Sequence, residues 1–195
     1  MFSTSIERAL SAAIEAHDGQ SRRGPTPAPY IVHPLHVALM LARWSQDESV
    51  IVAGLMHDVV EDCEAWTVER VEAEFGSHAA GIVGQLTEDK GLTWEQRKRA
   101  GIEHVAHLSP QAATVKACDK LHNLATLLHE LRTHPEQADA IWAGFKGGRE
   151  RTLELSSELV EALTQRVEPR VGRALRNALQ ALLDHESKLR GASVS

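Results

Sequence analysis

The sequence predicts an all-α protein built as one domain of several packed helices. Apolar residues recur three and four positions apart along most of the chain, which is the spacing of one helix face. Strict alternation of apolar and polar residues is almost absent, and aromatic residues make up only 4% of the chain, both of which argue against a β-rich core. A length of 195 residues suits a single domain with its own core.

Four apolar series predict helices, and glycine- and proline-rich segments predict connections. The first two series are separated by GQSRRGPTPAP at 19–29, and later breaks fall at 89–93, 133–135 and 144–148. The series are Ile6, Leu10 and Ile14; Ile31, Leu35, Leu39 and Ala42; Leu121, Leu124, Leu128 and Leu131; and Val171, Leu175, Leu179 and Leu182.

The stretch VIVAGLM at 50–56 is ambiguous, because its β-branched start would also suit a short buried strand. The apolar pattern continues past Val60, so we interpret the stretch as a helix. Residues 135–195 are predicted to form further helices that complete the domain or contact a second copy of the chain. The sequence leaves both roles open, and we expect one domain over residues 1–195.

Charge and cysteine content narrow the function class. With 27 acidic and 21 basic residues the net charge is −6, whereas a nucleic-acid binder normally needs a basic surface. Two cysteines, Cys63 and Cys118, cannot form a disulfide framework, which favours a reducing cytoplasm. The N-terminal apolar stretch is interrupted by charges, unlike a signal peptide, and no segment is long enough to span a bilayer.

The segment GLMHDVVED at 54–62 concentrates groups that can carry chemistry. At about 100° per residue in a helix, His57, Asp58, Glu61 and Asp62 fall within an arc of roughly 140°. Such a face is often only the solvated side of an amphipathic helix. Three adjacent acids repel one another, however, and a divalent cation would relieve that repulsion. The segment alone leaves the two interpretations open.

Two other segments carry groups of the same kind. Asp119 and Asn123 are four residues apart, on the side opposite the leucines of their helix. His33 precedes Pro34 at a predicted helix start, because proline is favoured in a first turn. Taken singly, His33 suits a packed histidine as well as a ligand, and His36 is interpreted as packing.

Taken together, these motifs carry a resemblance to a known family. In chain order they are AHDGQSR (16–22), PYIVHPLHVA (29–38), LMHDVVED (55–62), FG (75–76), LTEDK (86–90) and KACDKLHNL (116–124). Over residues 5 to 130 the chain resembles the HD-domain hydrolases of the RelA/SpoT type. Among these it is most similar to the small stand-alone alarmone hydrolases, so the resemblance implies a helical HD fold.

The resemblance also implies a metal centre and a catalytic pair. One Mn²⁺ would be held by His33, His57, Asp58 and Asp119, a mixed nitrogen and oxygen ligand set that suits Fe²⁺ and Zn²⁺ as well. Glu61 and Asp62 stand where the family has the two acids that position and deprotonate the attacking water.

The implied substrate is guanosine 3′,5′-bis(diphosphate), ppGpp, from which these enzymes remove the 3′-pyrophosphate to leave GDP. Arg22 stands where an arginine packs on the nucleobase, and Asn123 where an asparagine contacts the ribose or a nearby phosphate. An acidic protein must concentrate cations around such an anion. The candidate cations are Arg22, Arg23, Lys90, Arg97, Lys98, Arg99, Lys116 and Lys120, and of the lysines we assign Lys90 to substrate binding. Lys98 and Lys116 are expected to be ordinary surface charges.

Some positions depart from the family pattern. Ala125 replaces a common arginine, Trp94 replaces a lysine of some relatives, and Tyr30 is the only tyrosine in the chain. These departures spare the metal centre and weaken the inference to one nucleotide. Two alternatives therefore stay open: an HD phosphohydrolase for another nucleotide, such as a nucleoside monophosphate or the 2′-phosphate of NADPH, and a catalytically silent nucleotide-binding module.

Overall fold

The computed structural model describes residues 2–44 and 46–192, and the all-α prediction is confirmed over these residues. Their only β-type contact is an isolated bridge between Ser21 and Pro29. The α-helices are α1 (Thr4–Ala16), α2 (Val32–Arg43), α3 (Glu48–Met56), α4 (Val59–Asp62), α5 (Val68–Phe75), α6 (Ser77–Leu86), α7 (Trp94–His104), α8 (Pro110–Thr133), α9 (Ala138–Ala143), α10 (Gly148–Thr164) and α11 (Pro169–Ala192). Short 3₁₀ turns cover Val105–His107 and Pro135–Gln137.

Helix α8 runs through the core and contacts α2, α3, α6, α10 and α11. Its start is fixed locally, because the Ser109 hydroxyl accepts a hydrogen bond from the Ala112 N–H at 3.2 Å and Pro110 occupies the first turn. Leu124, Leu128 and Leu131 of the predicted series are buried. The opposite side of α8 is thereby left to its polar residues, which face the site described below.

The N-terminal helices have the predicted extent, but α2 buries a different face. In α2 the buried residues include Val37, Ala38 and Leu41, whereas Leu35 and Leu39 of the predicted series are 38% and 60% exposed. The reason is a close approach to α3: a Cβ added at Gly54 would lie 2.4 Å from Leu41 Cδ1. Small residues at this crossing let the helices meet.

Helix α1 departs less from its predicted face. It buries Ala9 and Ala13, while Ile14 of the predicted series is 51% exposed. In α1 the spacing predicted the secondary structure correctly and the buried face in part, because Ile6 and Leu10 pack against the core while alanines occupy its fully buried positions.

The segment 50–56 is helical, as predicted, but the helix does not run unbroken through residue 62. Helix α3 ends at Met56, His57 and Asp58 form a turn, and α4 begins at Val59. The Gly54 carbonyl, which a continuing helix would offer to the Asp58 N–H, accepts the His57 Nδ1–H at 2.8 Å. The break therefore lies at the two predicted ligands, and the single-helix geometry assumed for His57 to Asp62 is wrong.

The C-terminal helices pack onto the rest of the described chain. Helix α11 lies against α8 and α10, and its series Val171, Leu175, Leu179 and Leu182 is buried as predicted. Buried Glu186 accepts a hydrogen bond from Trp142 Nε1 at 3.3 Å and so ties α11 to α9. Within the described ranges, no helix combines the length and apolar character needed to cross a membrane.

Candidate active site

A cavity of about 200 Å³ lies where α2, the α3–α4 junction and α8 meet. Each of these elements supplies a predicted metal ligand. His33 lies in the first turn of α2, on the inward face with Val37, and Asp119 lies in α8. The cavity is lined by Arg22, Tyr30, His33, His57, Asp58, Glu61, Leu86, Glu88, Lys98, Lys116, Asp119 and Asn123.

The four predicted ligands lie close together. Potential ligand atoms of His33, His57 and Asp58 are all within 4.8 Å of one another, an arrangement that could hold a metal ion. Asp58 lies 3.5 Å from His33 Nε2 through Oδ2 and 3.3 Å from His57 Nε2 through Oδ1. Asp119 is outside that three-residue group, but its Oδ1 lies 3.2 Å from His33 Nε2. Three of the predicted ligands thus lie in one group, and the fourth, Asp119, lies beside His33.

The donor set fits a divalent cation. The Nδ1–H of His57 donates to the Gly54 carbonyl, so in the neutral ring Nε2 carries the lone pair, and this buried Nε2 has no hydrogen-bond partner in the described chain. An unpartnered buried nitrogen 3.3 Å from the Asp58 carboxylate is suited to a metal ion. Imidazole nitrogens with carboxylate oxygens suit Mn²⁺, Fe²⁺ or Zn²⁺ and do not distinguish among them.

His122 holds His33 from behind, a contact that the sequence interpretation missed. The two Nδ1 atoms lie 2.9 Å apart, and both residues are buried. Burial, together with the nearby charge of Arg22, lowers the pKa of His122 to about 3, so its ring is neutral and can accept. The Nδ1–H of His33 then points to His122, which leaves His33 Nε2 free for a ligand role. The sequence signal for this contact is the histidine of KLHNL (120–124), although the motif alone does not show that it contacts His33.

Replacing His122 by phenylalanine is expected to weaken Mn²⁺ binding by roughly ten- to a hundredfold, the usual effect of losing a partner that orients a ligand. Phenylalanine keeps an aromatic ring at position 122 but lacks the nitrogen that accepts the His33 Nδ1–H. Titration of Mn²⁺ with detection of the free ion measures this directly. His36→Phe is the matched control, because His36 lies beside His122 but is exposed. Parental Mn²⁺ affinity in the His122 variant would show that the contact does not support the ligand.

Tyr30 is a second group that the sequence interpretation did not assign to the site. Its hydroxyl donates to Asp58 Oδ2 at 2.8 Å, and its ring lies 4.7 Å from that of buried His17. Burial and the negative charge of Asp58 raise the pKa of Tyr30, so the hydroxyl stays protonated and continues to donate. Tyr30 therefore fixes the orientation of one predicted ligand.

The two predicted catalytic acids occupy different places. Glu61 lines the cavity that contains the ligands, and its Oε1 accepts the Glu88 N–H at 2.7 Å. Burial raises the pKa of Glu61, and the charges of Glu88 and Asp58 add to this despite the Glu88 N–H. Asp62 is an exposed residue that lines a neighbouring larger cavity. Partial burial of its carboxyl group, together with the charge of Asp58, raises its pKa. Glu61 is the acid that the fold places with the ligands.

A chain of hydrogen bonds links the predicted metal ligands to the residues that are predicted to bind the substrate. Asn123 Nδ2 donates to Asp119 Oδ1 at 2.5 Å, and Arg22 donates to Asn123 Oδ1 at 2.7 Å. The predicted proximity of Asp119 and Asn123 is therefore observed.

A second cavity, of about 890 Å³, adjoins the first and shares Arg22, Tyr30, Lys98 and Asn123 with it. Its volume is within the usual range for a small-molecule site. Among its described lining residues, cations outnumber acids although the whole chain is acidic. The cations are Arg22, Arg23, Arg97, Lys98, Lys120 and Lys146, and the acids are Asp62 and Glu130.

Several lysines lie elsewhere than expected. Lys98 and Lys116, interpreted from sequence as ordinary surface charges, line the smaller cavity, because α7 and α8 turn them toward the ligands. Lys90, assigned to substrate binding, is exposed and is not among the lining residues of either cavity. Burial lowers the pKa of Lys120 to about 8, so its side chain is still mostly cationic at neutral pH.

Comparison with known proteins agrees with the resemblance seen in the sequence. A family model described as HD domain matches residues 9–152. The guanosine-3′,5′-bis(diphosphate) 3′-pyrophosphohydrolase MESH1 of Xenopus tropicalis is 36% identical over 192 residues, covering 97% of this chain and 96% of that protein. The human protein of the same name is 35% identical over 150 residues, covering 71% of this chain and 83% of its own length.

Solved structures give the same result. A metazoan ortholog of SpoT, described as hydrolysing ppGpp, superposes with a TM-score of 0.80 at 30% identity and covers 92% of this chain and 96% of its own. The protein lmo0812 from Listeria monocytogenes EGD-e has a TM-score of 0.68 at 30% identity, covering 76% of this chain and 96% of its own. With its motifs, fold and relatives in agreement over most of its length, the chain belongs to the HD-domain family and, within it, to the family of the MESH1 proteins.

Proposed function

We propose that this chain hydrolyses guanosine 3′,5′-bis(diphosphate) to GDP and pyrophosphate and so degrades the alarmone. The observation that carries the proposal is the cationic cavity of about 890 Å³, which opens onto the His33, His57 and Asp58 group. A polyanionic nucleotide matches that charge, and the relatives named above carry the same activity in their names. A small nucleotide, rather than a nucleic acid, suits a cavity of this size in a chain of net charge −6.

In this proposal His33, His57, Asp58 and Asp119 hold Mn²⁺. When bound, the cation supplies Lewis-acid activation and lowers the pKa of water at the site. His122 and Tyr30 keep His33 and Asp58 in place through the 2.9 Å and 2.8 Å contacts described above.

Glu61 is the proposed general base. A carboxylate with a raised pKa takes a proton more readily near neutral pH, and the Glu88 N–H holds its Oε1 so that the other oxygen is available. Asp62 has the weaker structural support of the two acids, because it lines only the larger cavity. We assign it to positioning of water or substrate at the entrance.

Arg22 and Asn123 are the proposed contacts to the nucleoside. Arg22 lies over the Tyr30 ring at 5.7 Å and lines both cavities, so its planar guanidinium stands between the ligand cluster and the larger cavity. Asn123, bonded to both Asp119 and Arg22, lies where a ribose would join the two. Lys90 would act only on a phosphate that reaches its exposed position outside both cavities. The proposed location is the cytoplasm, and association with a second copy stays a proposal.

Arg22→Ala is expected to raise KM for ppGpp by roughly tenfold and to change kcat less. A contact that is equally strong in the ground and transition states affects substrate binding alone. Steady-state kinetics at saturating Mn²⁺ measure both constants. Arg43→Ala, at an exposed position at the end of α2, is the control. A fall in kcat with unchanged KM would instead place Arg22 at the reacting phosphate.

The substrate is tested by comparing kcat/KM for ppGpp, its adenosine counterpart, NADPH and nucleoside monophosphates at equal Mn²⁺. We expect the highest value, with pyrophosphate release, for ppGpp. Preferential orthophosphate release from NADPH would identify a hydrolase for another nucleotide. Binding without turnover on every compound would indicate a silent module.

A further inference from the structure

Lys120 and Ser156 form a polar pair in the wall of the larger cavity that the nucleotide contacts above do not use. The Lys120 ammonium on α8 donates to the Ser156 hydroxyl on α10 at 2.7 Å. Ser156 is 4% exposed, and both residues line the larger cavity but not the smaller one. The pair therefore lies in the larger cavity, outside the smaller cavity that the predicted metal ligands line.

The charge of Lys120 is not neutralised by the protein. In the described ranges, no carboxylate lies within 4.0 Å of its ammonium. The neighbouring acid, Asp119, is engaged by His33 and Asn123. A half-buried ammonium bonded only to a neutral hydroxyl has lost water without gaining a counter-ion, which is costly unless an anion completes the site.

The neighbouring charges point to the same kind of ligand. The positive charges of Lys98 and Lys116 are close enough to act on Lys120. Glu88, which lines the smaller cavity, pairs with Arg97 at 3.4 Å and with Lys98 at 2.8 Å. The charges of Lys98 and Lys116 repel that of Lys120, and a polyanion such as a diphosphate would relieve this repulsion.

The geometry of the substrate indicates which of its phosphates would lie near Lys120 and Ser156. The bis(diphosphate) carries one diphosphate on each side of the ribose, and the 3′ group must lie at the ligand cluster of the smaller cavity to be cleaved. The 5′-diphosphate then extends into the larger cavity, where Lys120 lies. The Ser156 hydroxyl accepts from Lys120, so its own proton remains free to donate to a phosphate oxygen.

We propose that Lys120 and Ser156 bind the 5′-diphosphate of the nucleotide, the part of the substrate that is not cleaved. This subsite rests on the proposed function and adds to it a recognition element on α10. Such a subsite would make the enzyme favour nucleotides that carry phosphates on both the 3′ and the 5′ oxygens of the ribose.

The test compares two substrates with the same scissile group: guanosine 3′,5′-bis(diphosphate) and guanosine 3′-diphosphate with a free 5′-hydroxyl. Lys120→Met should lower kcat/KM for the first by roughly ten- to a hundredfold, the scale of losing one charge-assisted hydrogen bond, mainly through KM. For the second the change should stay within about twofold. Ser156→Ala should show the same selectivity with a smaller loss, and Lys188→Met, at an exposed lysine of α11, should leave both values unchanged.

Equal losses on the two substrates, or unchanged kcat/KM on the bis(diphosphate), would overturn the subsite. Thermal unfolding and Mn²⁺ titration of each variant separate a folding defect from lost recognition, and Ser156→Ala keeps the test usable if Lys120→Met does not fold. If the parent protein cleaves neither substrate, the proposed function fails, and that result is distinct from an active parent whose Lys120 variant shows no selectivity.

Discussion

Asp119→Ala is expected to lose Mn²⁺ and hydrolytic activity while keeping the helical fold. Asp119 lies 3.2 Å from His33 Nε2 and also anchors Asn123, so its removal takes away one anionic ligand and the partner of a nucleoside contact. Metal affinity depends on deprotonated ligands in place, and the loss of one carboxylate weakens the whole centre. Metal content after dialysis, measured beside the circular dichroism spectrum, checks both parts of the expectation.

Asp184→Ala, at an exposed position of α11, is the control for Asp119→Ala and should retain metal and activity. Full metal occupancy in the Asp119 variant would remove this residue from the ligand set. That outcome would leave His33, His57 and Asp58, the three whose ligand atoms lie within 4.8 Å of one another.

Glu61→Gln is expected to lower kcat by two or more orders of magnitude with Mn²⁺ still bound, the usual effect of losing a general base. The amide oxygen of glutamine can still accept the Glu88 N–H, so the local structure is kept and only the proton acceptor is lost. Asp62→Asn tests the other acid and should cost less, because Asp62 is exposed outside the ligand cavity. Turnover at saturating Mn²⁺ gives the comparison.

Glu64→Gln, an exposed position just beyond α4, is the matched control for both acids. If Glu61→Gln turned over at the parental rate, Glu61 would not be the base. A larger loss in Asp62→Asn than in Glu61→Gln would exchange the roles that the cavity geometry gives the two residues.

The sequence predicted the helical class and the meeting of distant motifs, but not every helix face. Spacing located α2, yet it selected Leu35 and Leu39 over Val37 and Leu41 as the buried side. The deciding factor is the close crossing of α2 and α3 at Gly54, which depends on tertiary packing and leaves little trace in a pattern of apolar residues.

The site was predictable to the extent that its chemistry lies in the motifs. His33, His57 and Asp58 come together because α2 and the α3–α4 junction meet. His122 and Tyr30 were missed because their roles depend on contacts with residues 89 and 28 positions away. The orientation of Lys98 and Lys116 toward the cavity follows from the packing of α7 and α8 around it, which side-chain charge alone does not reveal.

We expect this site to direct water to the phosphorus next to the 3′ oxygen of the ribose. Hydrolysis of ppGpp in ¹⁸O-labelled water with Mn²⁺, followed by mass spectrometry of both products, tests it most directly. We expect equal amounts of GDP and pyrophosphate, with one ¹⁸O in the pyrophosphate and none in GDP, because the bond between that phosphorus and the ribose oxygen breaks. Label in the 3′-hydroxyl of GDP, or orthophosphate as the only phosphate product, would contradict the account.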